Sequence, residues 1–151
     1  MKTGDKVDDF ELPDETGTPR RFSELLADGP VVLFFYPAAM TYGCTRESCH
    51  FRDLKAEFEA VGAQRVGISA DTVEKQLQFS EKHSFGYPLL SDRERTVAAQ
   101  FGVKRGASIL PNKRTTFVID TDGTVLDVVS SEVSMSKHAD RALAVLRSRP
   151  A

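Results

Sequence analysis

Apolar and polar positions follow two periods along the chain, broken by turn residues that mark where one element ends and the next begins. Asp9 to Leu12 and Thr18 to Phe22 flank Pro13-Asp14-Glu15-Thr16-Gly17, a turn-rich segment that predicts an N-terminal hairpin. After Asp28-Gly29-Pro30, Val31 to Tyr36 is apolar on both faces and too short for a typical helix, as a strand inside a sheet should be. Pro37 ends it. Phe51, Leu54, Phe58 and Val61 then recur at helical spacing before Gly62, predicting a helix over residues 44–61. Arg65 to Ser69 reads as a second strand, and a polar helix capped by Asp71 or Thr72 runs on to about His83. This strand, helix, strand order implies parallel pairing. Val97 to Phe101 before Gly102 suggests a short helix, and Thr115 to Ile119 a strand. Asp122-Gly123 supplies the turn into Val125 to Val129, and Ala139, Leu143 and Leu146 suit a C-terminal helix.

The 151 residues are 40% hydrophobic and 28% charged, which fits one globular domain spanning 1–151 with a core large enough to need no disulfide or metal staple. A formal charge of -2 gives no global attraction for nucleic acid or an anionic membrane. The longest apolar run, Val31 to Tyr36, falls far short of the ~20 residues of a spanning helix. Charges at Lys2, Asp5 and Lys6 sit where a signal peptide would be apolar, so a cytoplasmic location is expected. Lys104-Arg105 and Lys113-Arg114 read as a solvated face rather than a basic binding surface.

Only two cysteines occur, Cys44 and Cys49. By spacing alone they are a metal-binding pair, a redox pair or two small buried side chains, and they do not form Cys-x-x-Cys. Zinc is the weakest of these, because His50 is adjacent but His83 and His138 are distant in sequence. Cys44 lies where the buried strand's exit loop meets the long helix, so unpaired amides and the positive helix end there favour a thiolate. Cys49 lies about a turn and a half further in, beyond most of that field. At ~100° per residue the two side chains point about 140° apart. Their α-carbons are about 8.6 Å apart in a helix, beyond the ~7 Å limit of a disulfide, so pairing would require the first turns to unwind.

Pro37-Ala38-Ala39-Met40-Thr41-Tyr42-Gly43-Cys44 matches the Pro-x-x-x-Thr-x-x-Cys signature and resembles the peroxiredoxins. Thr45-Arg46-Glu47-Ser48-Cys49 resembles the peroxiredoxin Q, or bacterioferritin comigratory protein, subgroup, as does Lys113 to Asp120. The similarity extends from Asp9-Phe10-Glu11-Leu12-Pro13 to the C-terminal helix and is nearest to the mycobacterial B-type. It implies an α/β thioredoxin-like fold, with a central mixed sheet flanked by helices and the N-terminal hairpin as an extension.

It also implies a thiol peroxidase for hydrogen peroxide and organic hydroperoxides, monomeric and without metal, haem or flavin. Cys44 would become a sulfenic acid, Cys49 would close a Cys44-Cys49 disulfide, and thioredoxin or a similar dithiol would reduce it. Substrate oxygens would be held by the Thr41 hydroxyl, the Gly43 and Cys44 amides and the Arg114 guanidinium, with Pro37 shielding the site. Glu47 either pairs with Arg114 or simply favours the first helical turn, and His50 reads as an exposed helix histidine. Ala38-Ala39-Met40 replaces a more polar stretch, and Tyr42 stands where the subgroup mostly has proline, so both bear on loop rigidity and peroxide preference. Two rival functions remain at this point: a peroxide sensor that signals by unwinding, and a thiol-disulfide oxidoreductase, against which the missing Cys-x-x-Cys argues.

Overall fold

Val31–Phe35 (β3) is buried along its whole length, and its alternate side chains feed two different cores, which is why it reads as apolar on both faces. The structure, a computed structural model, describes residues 1–104 and 112–149. Val32, Phe34 and Tyr36 meet Phe51, Phe58 and Phe79 on one side. Val31, Leu33 and Phe35 meet Phe22, Leu25 and Phe101 on the other. Phe34 stacks on Phe51 with ring centroids 4.2 Å apart, fixing the helix that carries both cysteines against the sheet.

β3 pairs in parallel with Gln64–Ser69 (β4) and antiparallel with Thr115–Ile119 (β6). Leu89–Ser91 (β5) and Val125–Ser130 (β7) complete a mixed sheet of order β5-β4-β3-β6-β7. Glu11–Pro13 (β1) and Pro19–Arg21 (β2) form the expected hairpin as a separate two-stranded sheet. Asp14 organises its turn, with Oδ1 accepting from the Thr16 amide at 2.9 Å and the Thr18 amide at 3.1 Å. Helices Phe22–Leu26 (α1), Tyr42–Asp53 (α2), Lys55–Ala60 (α3), Val73–His83 (α4), Thr96–Gln100 (α5) and Met135–Arg147 (α6) flank the sheet. Thr72 caps α4 by accepting from the Lys75 amide at 3.1 Å, which decides between the two candidate caps.

The expected helix over 44–61 is two helices, because the backbone leaves helical geometry at Leu54 (φ -93°, ψ 21°). The buried Arg65 guanidinium from β4 donates to the Phe51 carbonyl at 2.9 Å and the Arg52 carbonyl at 3.4 Å, satisfying oxygens that a continuous helix would have used. The pattern reading also missed α1 and β5, which have five and three residues and show no periodicity of their own. Arg105 lies outside the described residues. Arg114 is buried, so it does not join exposed Lys113 in a solvated face.

Candidate active site

β6 begins where β3 ends, with Thr115 opposite Phe35, so antiparallel register brings Arg114 beside the loop that follows β3. That loop, Pro37 to Thr41, is held at several points. The Ala39 amide donates to Asp71 Oδ2 at 2.7 Å, the Thr41 hydroxyl donates to the Ala38 carbonyl at 2.7 Å, and Met40 takes a left-handed φ of 70°. Thr41 precedes α2, and its carbonyl accepts the first helical bond from the Thr45 amide at 2.9 Å. The amides of Tyr42, Gly43 and Cys44 therefore head the helix without intrahelical acceptors. Cys44, the third helical residue, is fully buried and unbonded to Cys49.

Arg114 reaches across to α2 with both terminal nitrogens. Nη2 donates to Cys44 Sγ at 3.3 Å and Nη1 donates to Glu47 Oε1 at 2.8 Å. Glu47, three residues beyond Cys44, lies on the same face of α2, so one guanidinium serves both. Of the two readings for Glu47, the structure shows the pair with Arg114. The Arg114 backbone is itself clamped: its amide donates to Glu132 Oε1 at 3.0 Å and its carbonyl accepts from the Ser131 amide at 3.4 Å. Gly43 makes the approach possible, since a Cβ there would stand 3.2 Å from Arg114 Nη2 and 3.4 Å from Met135 Sδ.

Behind this contact is a second buried layer that sequence reasoning missed. His138 of α6 places Nδ1 2.8 Å from the Thr116 hydroxyl, Nε2 2.8 Å from the Ser131 carbonyl, and Nδ1 3.5 Å from Glu47 Oε2. Burial pushes the Glu47 carboxyl up to about 8 against the pull of Arg114. Burial also holds the His138 imidazole below its ordinary range, despite the bond to Ser131. The only sequence signal for His138 is its position on the apolar stripe of α6 beside Met135, Ala139 and Ala142. Asp71, which pins the loop at Ala39, carried no signal beyond that of a helix cap.

Cys49 is half-buried against the same core, and burial pushes its thiol up. It lines a cavity of about 290 Å³ with Arg46, His50, Asp53, Met135 and Ser136. The helix between the two cysteines is intact, so they are separated as helical spacing requires. His50 bonds Asp140 Oδ1 of α6 at 2.7 Å, an ordinary pair at the surface. Tyr42 is 79% exposed, with the Arg46 guanidinium 5.8 Å from its ring centroid. Gly43, Cys44 and Arg114 thus meet at the start of α2, with Thr41 at its N-cap and its hydroxyl turned onto its own loop, which Pro37 opens. Among the described residues, no cluster of three or more His, Cys, Asp or Glu is arranged to hold a metal ion, and no helix is long and apolar enough to cross a membrane.

The AhpC/TSA family model matches residues 3–128. A Mycobacterium tuberculosis protein named as a peroxiredoxin is 71% identical over 149 residues, covering 97% of each chain. Peroxiredoxin Bcp of Escherichia coli is 36% identical over 148 residues, covering 95% of this chain and 94% of its own. Among solved structures, peroxidoxin BcpB from Mycobacterium tuberculosis superposes with a TM-score of 0.97 at 69% identity, covering 100% of this chain and 99% of its own. The Xanthomonas campestris bacterioferritin comigratory protein, described by its alkyl peroxide reduction activity, gives a TM-score of 0.84 at 30% identity, covering 95% of this chain and 98% of its own.

Proposed function

Because the chain belongs to the AhpC/TSA family, as a thiol peroxidase of the peroxiredoxin Q and Bcp type, we propose that Cys44 is the thiol that attacks peroxide and Cys49 the thiol that resolves the product. The single observation that carries this reading is the Arg114 guanidinium donating to Cys44 Sγ at 3.3 Å in the first turn of α2. A permanent cation bonds the sulfur at the helix end where three amides have no intrahelical acceptor, and such donors suit the oxyanion that leaves when the O–O bond breaks.

In the first step the Cys44 thiolate attacks one peroxide oxygen. The O–O bond breaks, the other oxygen departs with its electron pair and takes a proton as water or alcohol, and Cys44 becomes a sulfenic acid. The Gly43 and Cys44 amides and Arg114 hold the two oxygens in line with the sulfur, Pro37 shields the attack, and the Thr41 hydroxyl joins them by rotating from the Ala38 carbonyl. Next, the Cys49 sulfur attacks the Cys44 sulfur and displaces water, leaving a Cys44-Cys49 disulfide. An external dithiol, thioredoxin or one like it, restores both thiols by exchange. The substrates are hydrogen peroxide and organic hydroperoxides, with exposed Tyr42 and Met40 offering apolar surface at the rim to the latter. The proposal includes a cytoplasmic setting, where reductant is at hand to keep the pair cycling.

Stopped-flow peroxide consumption with a thioredoxin recycling system tests the assignment. Wild-type protein should turn over, and Cys44→Ser should not, because a hydroxyl stays protonated near neutral pH and is a poor nucleophile. Retained turnover in Cys44→Ser would overturn it.

A further inference from the structure

The Glu47 carboxylate presents an incompletely satisfied oxygen to a buried histidine. Oε1 accepts from Arg114, but Oε2 is buried without a hydrogen-bond donor and lies 3.5 Å from His138 Nδ1. The Ser131 carbonyl can only accept, so the contact at His138 Nε2 places a proton on that nitrogen. In the neutral ring Nδ1 is then a lone pair, which accepts from the Thr116 hydroxyl and also faces Glu47 Oε2. Two acceptors facing each other in a buried site repel. A proton on either one converts the contact into a hydrogen bond after an approach of only about 0.5 Å.

The charges of the pocket point the same way. Arg114 contributes one positive charge and the attacking Cys44 thiolate one negative charge. An ionised Glu47 beside a neutral His138 would leave the buried cluster with net negative charge, whereas one proton on the Glu47 and His138 pair makes it neutral. The other charged or titratable groups that face the pair are Glu132 from the segment after β7, Lys137 on α6 and the buried Tyr87 hydroxyl.

We propose that His138 is a positioning residue of the peroxidase site: it shares one buried proton with Glu47, and that proton decides whether the Glu47 carboxylate competes with the Cys44 thiolate for Arg114. With the proton present, Arg114 is free to spend its charge on the sulfur and the departing oxygen. With the proton lost, Glu47 draws the guanidinium to itself and the peroxide step slows. Burial of Glu47, which raises its proton affinity, puts that loss on the basic side of neutrality. The inference rests on the reading of Cys44 as the attacking thiol.

The test is the second-order rate constant for peroxide consumption, measured by stopped flow from about pH 6 to about pH 9.5. The wild type should fall on the basic side, with a midpoint near the value of about 8 that burial gives Glu47. Glu47→Gln, which mimics the protonated carboxyl, should remove that basic limb. His138→Asn offers Glu47 a fixed amide donor with no proton to share, so it should stabilise the ionised carboxylate. Its basic limb should move down by about one pH unit, with a rate roughly fivefold slower at about pH 8 and slower by less than about twofold at about pH 7. A purely structural histidine would slow the reaction equally at every pH. Should His138→Asn fail to fold, the Glu47→Gln profile decides alone. A wild type without a basic limb, a Glu47→Gln variant that keeps it, or a folded His138→Asn with an unmoved profile would overturn the proposal while wild-type turnover leaves the role of Cys44 standing. A wild type that consumes no peroxide would overturn both.

Discussion

Arg114 is the residue on which the site turns, because a single side chain bonds the sulfur, the neighbouring carboxylate and, through its backbone, the segment after β7. Its position depends on what Gly43 lacks. Arg114→Met should slow the peroxide step by about 10²-fold to 10³-fold, the usual cost of losing one fixed donor to a developing oxyanion. Gly43→Ala forces a Cβ to 3.2 Å from Nη2 and should slow the same step less, by roughly tenfold, since the guanidinium can shift by a few tenths of an ångström. Single-turnover stopped flow on both variants checks the ranking, and equal rates in all three proteins would return Arg114 to a structural role. Little of this was legible from the pattern of residues alone. Arg114 stood out only through its resemblance to a family motif, and Glu47 was undecided until the fold brought β6 against the end of β3.

Helix α2 has to be both a scaffold for Cys44 and a segment that opens to let Cys49 reach it. The contacts along it are unevenly distributed. Its far half is tied down by the Tyr87 hydroxyl on the Ser48 carbonyl at 2.7 Å, by Arg65 on the Phe51 carbonyl at 2.9 Å, and by Arg52 Nη1 on the His83 carbonyl at 2.7 Å. Its near half is held by Arg114 on Cys44 and Glu47, with His138 3.5 Å from Glu47. One equivalent of peroxide should therefore make amides from Tyr42 to about Cys49 exchange about tenfold faster while Arg52 and Asp53 stay protected, and a dithiol should reverse the change. Cys49→Ser should show no change. Hydrogen exchange with peptide-level mass spectrometry reads both outcomes, and acceleration through Asp53 would mean that the anchors do not limit opening. The unwinding requirement was legible in the five-residue spacing. The anchors and the break at Leu54 were not, because Tyr87, Arg65 and His83 come from other elements and no local pattern reports them.

At the scale of the molecule, the architecture was legible wherever an element was long or strongly patterned. β3 with its doubly apolar run, the amphipathic α6 and the Asp122-Gly123 hairpin all stood out, and the order of strand and helix already implied the parallel pair, while the mixed sheet was implied by the family resemblance. What escaped was either short, as α1 and β5 are, or defined by a partner distant in the chain, as His138 is by Glu47. The fold places both cysteines on one helix of one chain, so oxidation should be an intramolecular event. Intact-mass measurement after one equivalent of peroxide tests this most directly. Non-reducing conditions should give a monomer lighter by about two mass units, with Cys44 linked to Cys49, and Cys49→Ser should instead gain oxygen on Cys44. A disulfide-linked dimer, or a wild-type monomer carrying oxygen on Cys44 with Cys49 still free, would contradict the account.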